Sequence, residues 1–297
     1  MSLLRAKNAV AFQGVSVDHP IFQQFRLTDK DFENFSALIF AKTGIHLKPE
    51  KKELLNARLG KRLRACRLGS FKDYYDRVIH DATGNELVHL INCVSTNFTS
   101  FFRENSHFDY LAATVLPEFA AKGSSAGPCK VWSAACSSGE EPYTLAMVIA
   151  MFMARHPSFK ASILATDIST KVLDIAQKGI YSYDKVDKVP SEFLKNFFQK
   201  GVGKCSGYVK AKDELRRLVT FQHINLMDSF PWKEEMDVIF CRNVMIYFTR
   251  ETQVELAEKF YHCLSPGGYL FIGHSESLTS INHRFQQTAT TVYQKAK

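Results

Sequence analysis

Residues 131–148 constrain the fold of this chain more than any other stretch, because three different patterns follow one another there. The apolar run Val131–Ala135 leads into a turn of small residues, Cys136–Gly139, and an apolar helical pattern begins at Glu140. This order predicts a strand, a tight turn and a helix. In an open α/β sheet, the first turn of this kind is where nucleotide-like ligands bind.

The same turn limits the chemistry of that ligand, because it contains one glycine and is followed by two acids, Glu140 and Glu141. The G-x-G-x-x-G fingerprint uses three glycines to accommodate a pyrophosphate, and two carboxylates would repel such a group. Small residues and acids instead favour a nucleoside with positive charge, such as S-adenosylmethionine, which carries a sulfonium and an ammonium group. The alternative is an ordinary helix start, since acids in a first turn also stabilise the helix dipole.

The composition indicates a globular protein with one large domain or two. The chain has 297 residues, of which 45% are hydrophobic, and it contains no apolar run of the roughly 18 residues that span a bilayer. Met1–Asp18 lacks the apolar core and cleavage site of a signal peptide. Seven scattered cysteines include no C-x-x-C pair, so we expect a cytoplasmic protein with neither a disulfide framework nor a metal site.

Residues 21–95 are predicted to form a helical N-terminal domain, after a loose tail at residues 1–20. Thr28 and Asp31 are typical of a helix start, and Gly44 is typical of a helix end. Apolar residues at helical spacing predict four helices, which cover residues 28–44, 49–66, 70–80 and 85–93.

The second of these helices concentrates the positive charge of the chain, whose formal net charge is +8. From Lys48 to Arg67 there are eight Lys or Arg residues and only two Glu. Such a run is either a solvated helix face or a surface that binds an acidic partner, and both interpretations fit the sequence.

Beyond residue 95 the sequence alternates between strand and helix patterns, which predicts a mostly parallel sheet with an antiparallel edge. The alternation breaks at residues 180–217, where a small inserted hairpin or sheet is predicted. Asp167 ends the second strand, 27 residues after Glu140, near the place where doubly wound domains carry an acid that binds ribose hydroxyls. The alternative for Asp167 is the N-cap of the next helix. The predicted strands cover residues 131–135, 161–167, 218–225, 237–241, 269–272 and 291–293.

Five segments of the chain together resemble one family. They are Asn97–Arg103 (NFTSFFR), Trp132–Pro142 (WSAACSSGEEP), Ala165–Ile168 (ATDI), Phe240–Phe248 (FCRNVMIYF) and Gly273–Glu276 (GHSE). The residue types in these segments, and the order of the segments, are similar to those of the chemotaxis protein-glutamate O-methyltransferases, the CheR family. The resemblance covers about residues 25–295. The resemblance implies an α/β, Rossmann-like S-adenosylmethionine-dependent methyltransferase domain at residues 96–297. It also implies a small β-subdomain inserted at about 180–217, and an all-helical domain in front.

The resemblance also implies the site residues. Arg103 and Tyr247 would be catalytic, Arg103 through a loose contact to the substrate carboxylate and Tyr247 near the transferred methyl group. Sequence alone leaves open whether Glu140 or Glu141 faces the cofactor. His274 is expected to be structural. The residues implied to contact S-adenosylmethionine, or its product S-adenosylhomocysteine, are Asn97, Thr99, Arg103, Glu140, Asp167, Asn225, Leu226, Arg242 and Asn243.

The implied reaction is methylation of glutamate side chains on chemotaxis receptors during sensory adaptation. A glutamate carboxylate is already ionised at neutral pH, with an unperturbed pKa of about 4.3, so no general base is required. We expect a monomer that is not inserted in the membrane. The β-subdomain would leave an edge strand at Tyr208–Ala211 for a receptor's C-terminal peptide. The alternative is a loop that only caps the sheet. The residues expected to dock receptor helices are Arg58, Lys61, Arg62 and Arg64.

Two other functions fit parts of the sequence. The positive charge fits an enzyme that methylates nucleic acid, but the sequence lacks the Asp-Pro-Pro-Tyr or Asn-Pro-Pro-Tyr site typical of amino-methylating enzymes. A non-catalytic adaptor would keep the fold without the activity. The presence of Arg103, Asp167 and Tyr247 argues against it.

Overall fold

The computed structural model describes residues 25–122, 127–232 and 235–297. The predicted loose tail, residues 1–20, and the first residues of the predicted helical domain lie outside this range.

Four helices form the N-terminal part of the described chain. They are α1 (Asp29–Thr43), α2 (Lys52–Cys66), α3 (Phe71–His80) and α4 (Asn85–Val94), with a short 3-10 turn, Pro49–Lys51, in front of α2. Thr28 begins α1 with a reciprocal capping box to Asp31, and Gly44 ends it in the left-handed conformation. A separate apolar core, which includes Phe35, Leu59 and Leu90, holds the four helices together.

The remainder of the chain is built on a seven-stranded sheet in the order β6-β2-β1-β7-β8-β10-β9. The first five of these are parallel, and β10 and β9 add an antiparallel edge. The predicted fold class is therefore confirmed, although β9 was not predicted. The strands are β1 (Cys129–Ala134), β2 (Ala161–Asp167), β6 (Val219–His223), β7 (Met236–Cys241), β8 (Leu264–Ile272), β9 (Gln286–Ala289) and β10 (Val292–Gln294).

Helices cover both faces of this sheet, which explains why its central strands are apolar at consecutive positions. In β1, Val131 belongs to the core under α7, whereas its neighbour Trp132 belongs to the core under α11. The helices of this part are α5 (Ser106–Tyr110), α6 (Leu116–Ala121), α7 (Glu140–Arg155), α8 (Thr170–Lys178) and α11 (Arg250–Cys263). One π-helical turn, Leu111–Val115, joins α5 to α6, so the chain is helical without a break from Ser106 to Ala121.

The insertion forms a second, three-stranded antiparallel sheet with the order β3-β5-β4. Its strands are β3 (Ile180–Ser182), β4 (Phe198–Lys200) and β5 (Tyr208–Ala211), and it also carries α9 (Ser191–Phe197) and α10 (Asp213–Arg216). The prediction that Tyr208–Ala211 is an edge strand is wrong, because β5 pairs with β3 on one side and with β4 on the other. The sequence did not reveal β3 as a pairing partner, since a three-residue strand leaves almost no pattern.

The segment between α1 and α2 attaches the four-helix unit to the sheet. Ile45 forms a β-bridge with Phe248, and the His46 amide donates to the Tyr247 carbonyl at 2.8 Å. A second contact joins α4 to residue Thr170, where the Asn92 side-chain amide donates to Thr170 Oγ1 at 3.1 Å. Within the described residues, none of the helices has both the length and the apolar character to cross a bilayer.

Candidate active site

A cavity of about 450 Å³ lies where the carboxyl ends of β1, β2 and β7 meet the four-helix unit. Its volume is in the range of small-molecule sites, and the ends of parallel strands are where α/β folds bind ligands. Tyr247 lines this cavity. Seven of the nine predicted cofactor-contacting residues line it as well, namely Asn97, Thr99, Arg103, Asp167, Leu226, Arg242 and Asn243.

The two adjacent glutamates of α7 have different environments. Glu140 is 1% exposed and does not line the cavity. Its carboxylate accepts hydrogen bonds from Ser138 Oγ at 2.6 Å and from Lys185 Nζ at 2.9 Å. Glu141 does line the cavity, and it accepts from Ser133 Oγ at 2.7 Å and from Arg242 Nη1 at 3.1 Å. Burial raises the pKa of Glu141, and Arg242 opposes that shift.

Asn225 is the other predicted contact that lies outside the cavity lining. Its side-chain amide donates to the Lys42 carbonyl at 2.8 Å, and its Oδ1 accepts from the Met227 amide at 3.1 Å. Asn225 therefore fastens the loop after β6 to the end of α1. No local pattern could reveal this contact, because 183 residues separate the two partners.

Asp167 ends β2 with both carboxylate oxygens held by main-chain donors. Oδ2 accepts from the Ser137 amide and Oδ1 from the Ser169 amide, each at 2.8 Å. Burial raises the pKa of Asp167, and these two hydrogen bonds oppose the shift. The carboxylate is fixed at the cavity wall, and a carboxylate offers about four acceptor sites, more than these two donors use.

Arg103 lies at the rim of the cavity beside an exposed aromatic side chain. Its Nη1 donates to the Phe98 carbonyl at 2.8 Å, and its guanidinium carbon is 5.5 Å from the centre of the Phe98 ring. Phe98 is 76% exposed, although it belongs to the cavity lining. Both contacts hold the Arg103 guanidinium at the rim of the cavity.

Sequence reasoning missed Glu104, which follows Arg103 directly. Its carboxylate accepts from Arg242 Nη2 at 2.8 Å, from Asn243 Nδ2 at 3.1 Å and from the His274 amide at 3.2 Å. Burial acts to raise the pKa of Glu104, but the Arg242 and Asn243 hydrogen bonds outweigh it and lower the pKa to about 2. The adjacency to the Asn97–Arg103 segment was the one signal that pointed to it.

Glu104, His107 and His274 bring three possible metal-ligating atoms within 4.8 Å of one another. The Arg242 guanidinium contacts the same Glu104 carboxylate, and a positive group at that distance disfavours a cation. His274 Nε2 lies 3.3 Å from Ser106 Oγ, so this side chain joins the first residue of α5 to the loop after β8.

A second missed residue, Glu276, shapes the loop that carries Tyr247. It accepts hydrogen bonds from the main-chain amides of Asn243, Gly273 and Ile246. Burial raises the pKa of Glu276, and these amides oppose the shift. A side chain at Gly273 would clash with Asn243, so a glycine allows the two loops to approach closely.

Backbone strain is concentrated around the cavity. Among the described residues, seven non-glycine residues have a positive φ. Three of them, Ala135, Ser137 and Asn243, line the cavity, and two more, Phe102 and Glu104, flank Arg103. Such conformations cost about 1–3 kcal/mol each and are typical of sites where the chain must present particular groups.

The four predicted docking residues on α2 fall into two pairs. Arg62 donates to both carboxylate oxygens of the buried Glu86, at 2.7 and 2.8 Å, and Arg58 donates to the Val94 carbonyl at 2.6 Å. These two arginines hold α4 against α2, and Arg58 also lines the cavity. Lys61 and Arg64, in contrast, are exposed.

Comparison with known proteins adds to this geometry. Residues 97–294 match the family described as "CheR methyltransferase, SAM binding domain", and residues 30–95 match "CheR methyltransferase, all-alpha domain". This chain belongs to the CheR methyltransferase family. It is an S-adenosylmethionine-dependent methyltransferase of chemotaxis, as the resemblance implied.

Curated CheR-family relatives are similar over nearly their whole length. The chain is 38% identical to "Chemotaxis protein methyltransferase 2" of Pseudomonas aeruginosa, over 95% of this chain and 99% of that protein. It is 37% identical to "Chemotaxis protein methyltransferase" of Escherichia coli, over 93% of this chain and 94% of that protein. The carboxylates and the volume of the cavity fit the cationic cofactor of this family.

Proposed function

We propose that this CheR-family enzyme transfers a methyl group from S-adenosylmethionine to glutamate side chains of chemotaxis receptors, with glutamate methyl esters as products. The observation that carries the proposal is one cavity lined by Asp167 and Glu141, by Arg103 and Tyr247, and by basic residues of the helical unit. The relatives named above are chemotaxis methyltransferases, which supports a receptor as the substrate.

The cofactor contacts we propose differ in two places from those implied by the sequence. Asp167 would accept the two ribose hydroxyls, and Glu141, not Glu140, would face the cationic end. Asn225 would support the cavity wall from outside. The following residues stay in the proposed set because they line the cavity: Asn97, Thr99, Arg103, Leu226, Arg242 and Asn243. When bound, the cofactor supplies a methyl group attached to a positively charged sulfur.

The chemical work left to the chain is positioning. The receptor carboxylate is ionised at neutral pH, so no residue has to remove a proton. One carboxylate oxygen forms the new bond to the methyl carbon, and the electron pair of the broken bond stays on sulfur. Arg103 and Tyr247 would align the carboxylate, and alignment of this kind is worth up to about 7–11 kcal/mol.

We propose that the receptor helices dock on the exposed basic face of α2. Lys61 and Arg64 are exposed there, and Lys51 lies at the cavity rim. Positive charge on this face would steer an acidic helix and raise the association rate more than the affinity. Arg58 and Arg62 are left out of the docking set, because their hydrogen bonds to α4 give them a structural role.

A receptor's C-terminal peptide is proposed to bind an edge strand of the small sheet, either Ile180–Ser182 or Phe198–Lys200. An extended peptide pairs with a free edge through main-chain hydrogen bonds. Such a tether would hold the substrate at an effective concentration of about the mM range. We also propose that the enzyme works as a monomer in the cytoplasm.

The test is a methylation assay with labelled cofactor that offers receptor fragment, RNA and DNA in parallel. We expect label on the receptor fragment only, released as methanol by mild alkali. Alkali-stable label on nucleic acid would contradict the proposal. Removal of the receptor's terminal peptide should slow methylation at low receptor concentration and leave it unchanged at high concentration.

A further inference from the structure

Two carboxylates of the active site share one guanidinium. Arg242 binds Glu104 through Nη2 at 2.8 Å and Glu141 through Nη1 at 3.1 Å. The side chain of Arg242 is 1% exposed, and those of Glu104 and Glu141 are 14% and 12% exposed. The three groups therefore form a largely buried cluster in which one positive charge faces two negative ones.

The members of this cluster differ in their relation to the cavity. Arg242 and Glu141 line it, whereas Glu104 lies behind Arg242. Two neutral donors contact Glu104, namely the Asn243 side chain and the His274 amide, and a His274 ring nitrogen lies within 4.8 Å of the carboxylate. His107 Nδ1 lies 3.7 Å from Glu104, and burial lowers the pKa of His107 to about 4, so this ring is neutral at pH 7.

We propose that Glu104 is a positioning residue that engages Arg242 from behind and thereby leaves the charge of Glu141 directed into the cavity. Without Glu104, the whole guanidinium charge would neutralise Glu141. With Glu104, the cluster keeps one net negative charge at the cavity wall.

This net charge distinguishes the two forms of the cofactor. S-adenosylmethionine carries one net positive charge, from its sulfonium, ammonium and carboxylate groups. The demethylated product has lost the sulfonium charge and is neutral overall. The cluster attracts the first form more than the second, and the low dielectric of a buried site strengthens this difference. The inference rests on the proposed place of Glu141 in the cofactor site.

The test measures binding of both cofactor forms by calorimetry, in the absence of receptor. Glu104→Gln keeps the shape of the side chain and removes its charge. We expect the Kd for S-adenosylmethionine to rise by roughly tenfold, because the lost charge lies behind Arg242, and one unit charge about 12 Å from a positive group contributes about 1.4 kcal/mol at an effective dielectric near 20. The Kd for S-adenosylhomocysteine should change by less than about twofold, because its net charge is zero.

Two further variants make the result specific. Glu258→Gln removes a carboxylate that contacts Arg284 at 2.6 Å outside the cavity, and both Kd values should stay at wild-type level. Glu104→Asp keeps the charge, so the ratio of the two Kd values should stay near that of the wild type even if both rise.

Equal weakening of both ligands in Glu104→Gln, or no weakening, would overturn the proposal. If that variant does not fold in a thermal unfolding control, Glu104→Asp decides alone, because a changed ratio there contradicts a role of the charge. These measurements use no receptor, so they are independent of whether receptor glutamates accept the methyl group.

Discussion

At the scale of single residues, the site depends on which hydrogen-bond donors hold each carboxylate. Asp167 and Glu276 accept from main-chain amides, whereas Glu104 and Glu141 share Arg242. Main-chain donors cannot move without the loop that carries them, so the first two acids fix loop positions. The second two set the charge of the cavity wall.

Asp167→Ala is expected to weaken binding of S-adenosylmethionine by several kcal/mol. A hydrogen bond to a charged acceptor contributes about 1.5–3 kcal/mol, and the variant removes two of them if Asp167 binds the ribose hydroxyls. Calorimetry on the folded protein measures the change. Asp174→Ala, which removes an exposed acid from α8, is the matched control and should bind like the wild type. An unchanged affinity in Asp167→Ala would remove it from the site.

The sequence was informative about single residues where the signal is local. Asp167 stands at a strand end and Arg103 inside a recognisable segment, and both line the cavity. Glu104 was missed because its partners, Arg242 and Asn243, are 138 and 139 residues away. Glu141 was left undecided for a similar reason, since only the fold shows which side of α7 faces the cavity.

At the scale of elements, α2 combines two tasks on different faces. Arg62 faces α4 and pairs with Glu86, while Lys61 and Arg64 face solvent. The capping signals that predicted α1 are local, and its start and end are where the sequence placed them. The sequence could not show which basic residues of α2 face α4, because Glu86, the buried acid that pairs with Arg62, belongs to another helix.

Arg62→Ala is expected to lower the free energy of unfolding by about 3 kcal/mol, because it leaves the buried Glu86 carboxylate without its main cation. Lys61→Ala, one position away and exposed, should change it by less than about 0.5 kcal/mol. Urea unfolding at pH 7 measures both. Equal stability of the two variants would show that the Arg62–Glu86 pair is not a structural contact.

The same ion pair predicts a pH dependence. Burial acts to raise the pKa of Glu86, but Arg62 outweighs it and lowers the pKa below its ordinary value. A depressed folded-state pKa contributes stability above the unfolded-state pKa, and this contribution is lost as the pH falls through the folded-state value. The stability difference between wild type and Arg62→Ala should therefore be full at pH 7 and shrink below about pH 4. A constant difference from pH 7 to pH 3 would contradict this origin.

The exposed face of α2 allows a test of receptor docking. Lys61→Glu combined with Arg64→Glu should slow methylation of a receptor fragment several-fold at low salt and flatten its salt dependence, because steering by charge is lost. Cofactor affinity should not change. Lys160→Glu combined with Lys178→Glu, two exposed positions outside α2, makes the same change in net charge and is the control. Methylation at the wild-type rate in the double variant would make this face an ordinary solvated surface.

At the scale of the whole molecule, the cavity has walls from two separately packed units. Thr43, Ile45 and Leu55 come from the helical unit, whereas Asp167 and Arg242 come from strand ends of the sheet. The alternation of strands and helices predicted the sheet, but no pattern in the sequence showed that the α1–α2 segment would pair with the loop after β7. A single bridge between distant segments leaves no periodic signal.

Gly44→Ala is expected to disturb this junction. Gly44 has a φ of 71°, and a Cβ there would lie 2.5 Å from Met227 Sδ, beside Asn225 and its bond to Lys42. Gly84 has the same φ of 71°, but a Cβ there would meet no atom within 4 Å, so Gly84→Ala is the matched control. Both variants should lose about 1 kcal/mol or more of stability, as strain at a positive φ requires. Only Gly44→Ala should also weaken cofactor binding in calorimetry, and equal affinities would contradict the expected displacement of the wall.

The bridge between Ile45 and Phe248 has a thermodynamic consequence for the two ligands of the enzyme. This pairing joins the helical unit, which is proposed to bind the receptor, to the loop that carries Tyr247. Both segments line the cavity, so a displacement of the helical unit would also displace the cavity wall. Linkage then requires reciprocity: whatever factor a docked receptor applies to cofactor affinity, bound cofactor applies to receptor affinity. Where the methyl-bearing cofactor and the demethylated product shift the shared wall differently, the two forms of the enzyme would bind the same receptor with different affinity. The receptor would then distinguish, by its affinity, enzyme that holds a transferable methyl group from enzyme that holds the demethylated product.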